Sequence, residues 1–102
     1  MSMNAYHCCI VFSNNRDKAV QKFEDIFIEK GSPDNIKRIM AKDRIEYIFE
    51  DEDWIWIRPA LGARGYRAHK AYVDIDCTKE QIDCAIRPIC DLYCDEKDFK
   101  WF

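Results

Sequence analysis

Two aspartates, Asp74 and Asp76, close the short stretch A-Y-V-D-I-D. Residues two apart in an extended strand point the same way, so this pair is the sequence's candidate for a divalent cation. Two carboxylates without further oxygen ligands make a weak cation site, and the ordinary role of such groups is an ion pair with an Arg or Lys of the preceding loop. That loop, Arg58 to Lys70, carries Arg58, Arg64, Arg67, His69 and Lys70 and no acidic residue. Such cations suit phosphate contacts, and Tyr66 among them could stack on a base. Trp54 and Trp56 lie immediately upstream. Trp, Tyr and Arg are also the side chains that anchor protein interfaces. Trp54, Trp56, Arg58, Arg64, Tyr66, Arg67, His69 and Lys70 are therefore the expected surface for a protein or nucleic-acid partner.

Composition limits these readings. The 102-residue chain is sized for one domain with one core, and its net charge of -3 argues against a surface that is basic overall. No apolar run is long enough to span a bilayer, and the first residues lack the pattern of a secretion signal. The expected setting is the cytoplasm, with no membrane partner and reduced thiols. Six cysteines, Cys8, Cys9, Cys77, Cys84, Cys90 and Cys94, contain no C-x-x-C pair. Their spacing does not favour zinc, and buried thiols are the better reading. No cofactor is expected.

The elements that must position these residues follow from periodicity. Y-H-C-C-I-V-F, residues 6–12, has the length and β-forming content of a strand buried on both faces. Ser13-Asn14-Asn15 offers helix-capping side chains. Ala19, Val20, Phe23, Ile26 and Phe27 then recur at helical spacing until Gly31 and Pro33. The segment from Ser32 to Met40 fits a short second helix with proline in its first turn, with a strand as the alternative. Ile45, Tyr47 and Phe49 fall on one face and Glu46, Ile48 and Glu50 on the other, and W-I-W-I follows across the acidic turn Asp51-Glu52-Asp53, which predicts a hairpin. Ala71 to Asp76 reads as the next strand. Thr78 and Gln81 form a capping box that opens a helix over Ile82, Ile86 and Ile89, with Pro88 inside it as a kink or new turn. Residues 95–102 end in Phe99, Trp101 and Phe102, an apolar tail expected to dock on the domain or on a second copy as a homodimer. The predicted fold is a small single-domain α/β sandwich with a partly parallel sheet. A ferredoxin-like α+β arrangement is the alternative, with the tail as its last strand.

From Arg44 to Ile89 the sequence resembles the middle of the ATPase domain of phage terminase large subunits, of the RecA-like P-loop class. The resemblance rests on the hairpin R-I-E-Y-I-F-E-D-E-D-W-I-W-I, the loop and strand R-G-Y-R-A-H-K-A-Y-V-D, and the helix segment I-R-P-I. It implies a reduced RecA-like core in which Asp74 takes the place of the magnesium-holding strand-end acid. The acid that orients the attacking water falls on Ile75. No G-x-x-x-x-G-K-[ST] phosphate loop is present, and the three glycines are Gly31, Gly62 and Gly65. Phosphoryl transfer depends on positioning and charge neutralisation, so ATP hydrolysis is not expected. The resemblance therefore implies a non-enzymatic, phage-type accessory protein that binds a larger bacterial or phage protein. Inhibitors of bacterial immunity such as anti-CRISPR proteins are of this kind. A nucleic-acid-binding protein using residues 58–70 is the alternative. A degenerate terminase-like nucleotide-binding protein is the third reading.

Overall fold

The structure is a computed structural model that describes residues 8–59, 68–90 and 94–102. Strand β1, Cys8–Phe12, leads into helix α1, Arg16–Glu29. The Asn15 side chain caps α1 by accepting from the Asp17 and Lys18 N–H groups. At the other end the Gly31 N–H bonds the Ile28 carbonyl and the Ser32 N–H bonds the Phe27 carbonyl. This pair of bonds makes a Schellman stop, and it needs the left-handed backbone that Gly31 supplies at φ 85°.

Residues Lys37–Met40 are strand β2, not a helical turn. Ile36, Ile39 and Met40 have helical spacing, but pairing of Lys37–Met40 with Ile45–Ile48, strand β3, decides the conformation. Strand β3 pairs antiparallel with β4, Asp53–Ile57, as the hairpin pattern predicts. Strand β5 runs from Ala68 to Val73 and so begins and ends three residues earlier than the sequence reading placed it, which leaves Asp74 and Asp76 beyond the strand. His69 and Lys70 thus belong to the strand and not to the loop before it. Cys8 faces Ala68 and Cys9 faces Lys70, which leaves His69 as the extra residue of a bulge. The bulge turns Ala68 to the same side as Ala71 and Val73.

After β5, the Thr78–Gln81 capping box opens α2, Lys79–Gln81. A π-helical turn, Ile82–Ile86, and then α3, Arg87–Cys90, continue the same rod. The wide turn accommodates Pro88, which has no N–H to give, and the Arg87 N–H reaches back to the Ile82 carbonyl. A 3-10 turn, Glu96–Asp98, precedes β6, Phe99–Trp101.

The six strands form one mixed sheet in the order β2-β3-β4-β1-β5-β6. Strand β1 is parallel to both neighbours, β4 and β5, and β6 is parallel to β5. Both faces of the sheet are covered. Cys9, Val11, Trp54 and Trp56 pack with Ala19, Phe23 and Ile26 of α1. On the other face Ile10, Phe12, Ala71 and Val73 pack with Ile86, Ile89 and Cys90. Each fully buried Phe or Ile in these layers contributes about 1.5–3 kcal/mol. The tail forms the last strand that the ferredoxin-like alternative required. Helices on both faces of a largely parallel sheet make the domain α/β instead.

Candidate functional site

Strands β1 and β5 lie side by side, and their chain continuations diverge. From β1 the chain passes through α1 on one face towards β2, β3 and β4; from β5 it passes through α2 and α3 on the other face to β6. In open α/β sheets this divergence leaves a crevice at the C-terminal strand ends, the usual place for a ligand. Ser13 follows β1 there and Asp74 follows β5. The Ser13 N–H bonds the Ile57 carbonyl at 3.3 Å and the Asp74 N–H bonds the Phe12 carbonyl at 2.9 Å. Both side chains are thereby pinned by continuation of the ladders.

Asp74 is 1 % exposed, so its charge has to be matched. Ser13 Oγ donates to Oδ2 at 2.7 Å. Lys18 Nζ, from the first turn of α1, donates to Oδ1, and the Asp76 N–H donates to the same oxygen at 2.9 Å. Burial pushes the Asp74 carboxyl up, but the bonds from Lys18, Asp76 and Ser13 outweigh it and hold the group below the usual carboxylate range. Lys18 also reaches Asp76 Oδ2 at 3.1 Å, and bonds to Asp74 and Asp76 raise its ammonium pKa. The two aspartates proposed for a metal do converge on one cation. That cation is Lys18, and a divalent ion would have to displace it. Among the described residues no group of three or more His, Cys, Asp or Glu side chains is placed to hold a metal. Asp74 does not face solvent, and its partner comes from α1 and not from the loop before β5.

Beside this cluster, Gln81 joins three segments. Its Nε2 donates to Asn14 Oδ1 at 3.0 Å and to the Pro59 carbonyl at 3.1 Å. Its Oε1 accepts from Asn14 Nδ2 at 2.8 Å and from the Thr78 N–H at 3.0 Å. All four hydrogen-bonding positions of the amide are used. The Asn15 N–H donates to Ser13 Oγ at 3.0 Å. That bond takes up electron density a nucleophilic hydroxyl would need. The arrangement ties the strand ends together.

Among the described residues, the aromatic and basic side chains singled out in the sequence do not form one surface. Trp54 and Trp56, expected to meet a partner, are buried at 4 % and 6 % exposure in the α1-side core. The hairpin alternation separates their face from that of Ile55 and Ile57, and this sheet needs both faces apolar because helices cover both. Trp56 Nε1 donates to the Ser13 carbonyl at 2.9 Å, and Trp54 Nε1 to Glu52 at 2.8 Å. Arg58 is exposed, pairs with Asp43 at 3.2 Å and covers the Trp56 ring at 4.7 Å. Lys70 pairs with Glu52 at 3.0 Å, and His69 is half-buried in β5. Arg64, Tyr66 and Arg67 lie outside the described residues.

Sequence reasoning did not single out Ser13 or Lys18. Their only signal is position, one just after β1 and one a helical turn further, and it acquires meaning once β1 and β5 are neighbours. The exposed apolar side chains Ile75, at 66 %, and Trp101, at 48 %, lie at the β6 end of the sheet. The Ile75 N–H bonds the Phe102 carbonyl there at 2.9 Å. Among the described residues no helix is long and apolar enough to cross a membrane. The chain matches no protein-family model, and neither a curated protein nor a solved structure was found similar to it.

Proposed function

We propose that the protein is a non-enzymatic binding module that engages a larger protein through the β6 end of its sheet. The observation that carries this reading is the half-exposed Trp101 on a strand with no neighbour on its outer side among the described residues. Large aromatic side chains left in solvent beside an unpaired strand edge are typical of recognition surfaces. The saturated hydrogen bonding of Ser13, Lys18, Asp74 and Gln81 supports a structural role for the strand-end crevice. The resemblance to a terminase ATPase core without its phosphate loop points the same way. It favours a phage-type accessory protein acting on a bacterial target, an inhibitor of immunity such as an anti-CRISPR being one form. Carboxylate partners for Arg58 and Lys70 leave less free positive charge for the nucleic-acid reading.

The test is a tagged pull-down from nuclease-treated bacterial lysate with wild-type protein and a Trp101→Ser variant. A defined protein recovered by the wild type and lost with the variant, at unchanged Tm, is the expected result. Recovery that depends on nucleic acid, or that ignores Trp101, overturns it.

A further inference from the structure

The direction of the free backbone groups on β6 can be read from its bonds. The Phe102 N–H donates to the Val73 carbonyl, and the Phe102 carbonyl accepts from the Ile75 N–H, both at 2.9 Å. Backbone groups alternate in direction along a strand, so those of Phe99 and Trp101 point away from β5. The Phe99 N–H is taken up by the Glu96 carbonyl of the 3-10 turn, so among the described residues the edge offers one donor, from Trp101, and two acceptors. The side chains alternate as well. Phe99 and Trp101 lie on the α3 side, their rings T-shaped at 5.4 Å, beside a groove of about 300 Å3 that Arg87, Cys90, Cys94 and Glu96 complete. Lys100 and Phe102 lie on the α1 side with Lys22, whose ammonium is 3.9 Å from the Tyr72 ring centroid and 5.7 Å from that of Phe102. Among the described residues, Lys22 and Lys100 make no ion pair, whereas Lys18, Lys30 and Lys70 all do.

We propose that this edge receives an extended peptide of a partner protein as an added strand, with an acidic side chain opposite Lys100 and apolar side chains beside Phe99 and Trp101. The proposal rests on the binding-module reading and names the chemistry of the partner. Strand addition draws affinity from main-chain bonds and specificity from alternate side chains. Lys22 and Lys100, which make no ion pair among the described residues, favour an acid there, while Glu52, in one groove with Lys100, is already held by Lys30 and Lys70. A second copy is a poorer occupant. The antiparallel register that engages both Phe99 and Trp101 sets Lys100 against Lys100, and like charges directly opposite are unfavourable. A register shifted towards the N-terminal side meets the 3-10 turn Glu96–Asp98, which is not extended.

The experiment is an NMR titration of isotope-labelled protein with the blocked peptide acetyl-Thr-Ile-Asp-Ile-Thr-amide and with its counterpart carrying Lys in place of Asp. The Phe99 and Trp101 amides are expected to shift, and the Trp101 amide, free at the edge, to gain protection from exchange. The acidic peptide is expected to bind about fivefold more tightly, and Lys100→Glu to reverse that preference. No saturable shift at these two amides overturns the proposal, as does equal affinity for both peptides. Self-association with the Trp101 amide already protected overturns it in favour of a second copy. If the pull-down partner depends on Trp101 while both peptides fail, strand addition falls and the binding-module reading stands.

Discussion

Ser13 and Asp74 are 61 positions apart in the chain and share a buried hydrogen bond of 2.7 Å. Each is the first residue beyond a parallel strand, and each is fixed by the ladder it has just left. Lys18 and the Asp76 N–H complete the cluster, so the most buried charge among the described residues also fastens α1 to the end of β5. The crevice that other open α/β sheets give to ligands is here closed by the chain's own lysine.

Asp74→Asn is expected to destabilise the fold by about 1–3 kcal/mol, measured by urea denaturation, because Lys18 loses its buried partner. The folded carboxyl titrates below its ordinary value, so its contribution is complete above the unfolded pKa of about 3.9 and is lost as pH falls through the folded value. The stability gap between wild type and variant should hold steady from neutral pH to about pH 4 and shrink below it. A gap that widens on acidification would contradict the assignment.

Tyr47 is fully buried and donates its hydroxyl to Glu24. Burial, and then the Glu24 carboxylate, push its phenol up to about 12. The neutral phenol is the form that the folded state favours. Its contribution is complete below about pH 10, the unfolded value, and is lost as pH rises towards the folded one. Absorbance titration should show a late-ionising phenol, and Tyr47→Phe should remove that late step.

Alanine at Trp54 or Trp56 is expected to cost about 3–5 kcal/mol, since each ring fills the α1-side core. Trp56→Phe should cost less but still lose the bond to the Ser13 carbonyl, about 1 kcal/mol. Calorimetry distinguishes this from an interface role, in which partner affinity would fall at constant Tm.

Cys77 is buried, and burial pushes its thiol up to about 11, whereas Cys84 is exposed. Maleimide labelling at neutral pH, mapped by peptide mass spectrometry, should modify Cys84 quickly and Cys77 only on unfolding. Equal rates at the two sites would mean that the loop after β5 opens readily.

The elements with a local signal were legible. The Asn15 cap, the Gly31 stop, the β3–β4 alternation and the Thr78–Gln81 box each depend on residues close in sequence, and each forms as the sequence predicts. Strand β2 was misread because Pro33 and the Ile36, Ile39, Met40 spacing speak for a helix, while pairing with β3 is a tertiary effect. The start of β5 was misplaced because the His69 bulge breaks the alternation. Both Trp residues read as a partner surface, because nothing local shows that helices cover both faces of the sheet. Lys18 was invisible as a partner of Asp74, because nothing local says that the first turn of α1 meets the end of β5.

Strand β1 comes early in the sequence and sits inside the sheet, yet its partners arrive late. Cys9 lies opposite Trp54 on one side and Lys70 on the other. Such pairing closes long loops, whereas the β3–β4 hairpin closes a short one. The slow step of folding is therefore expected to be the insertion of β1 between β4 and β5, a barrier set by contact order and little affected by how strongly any single helix forms.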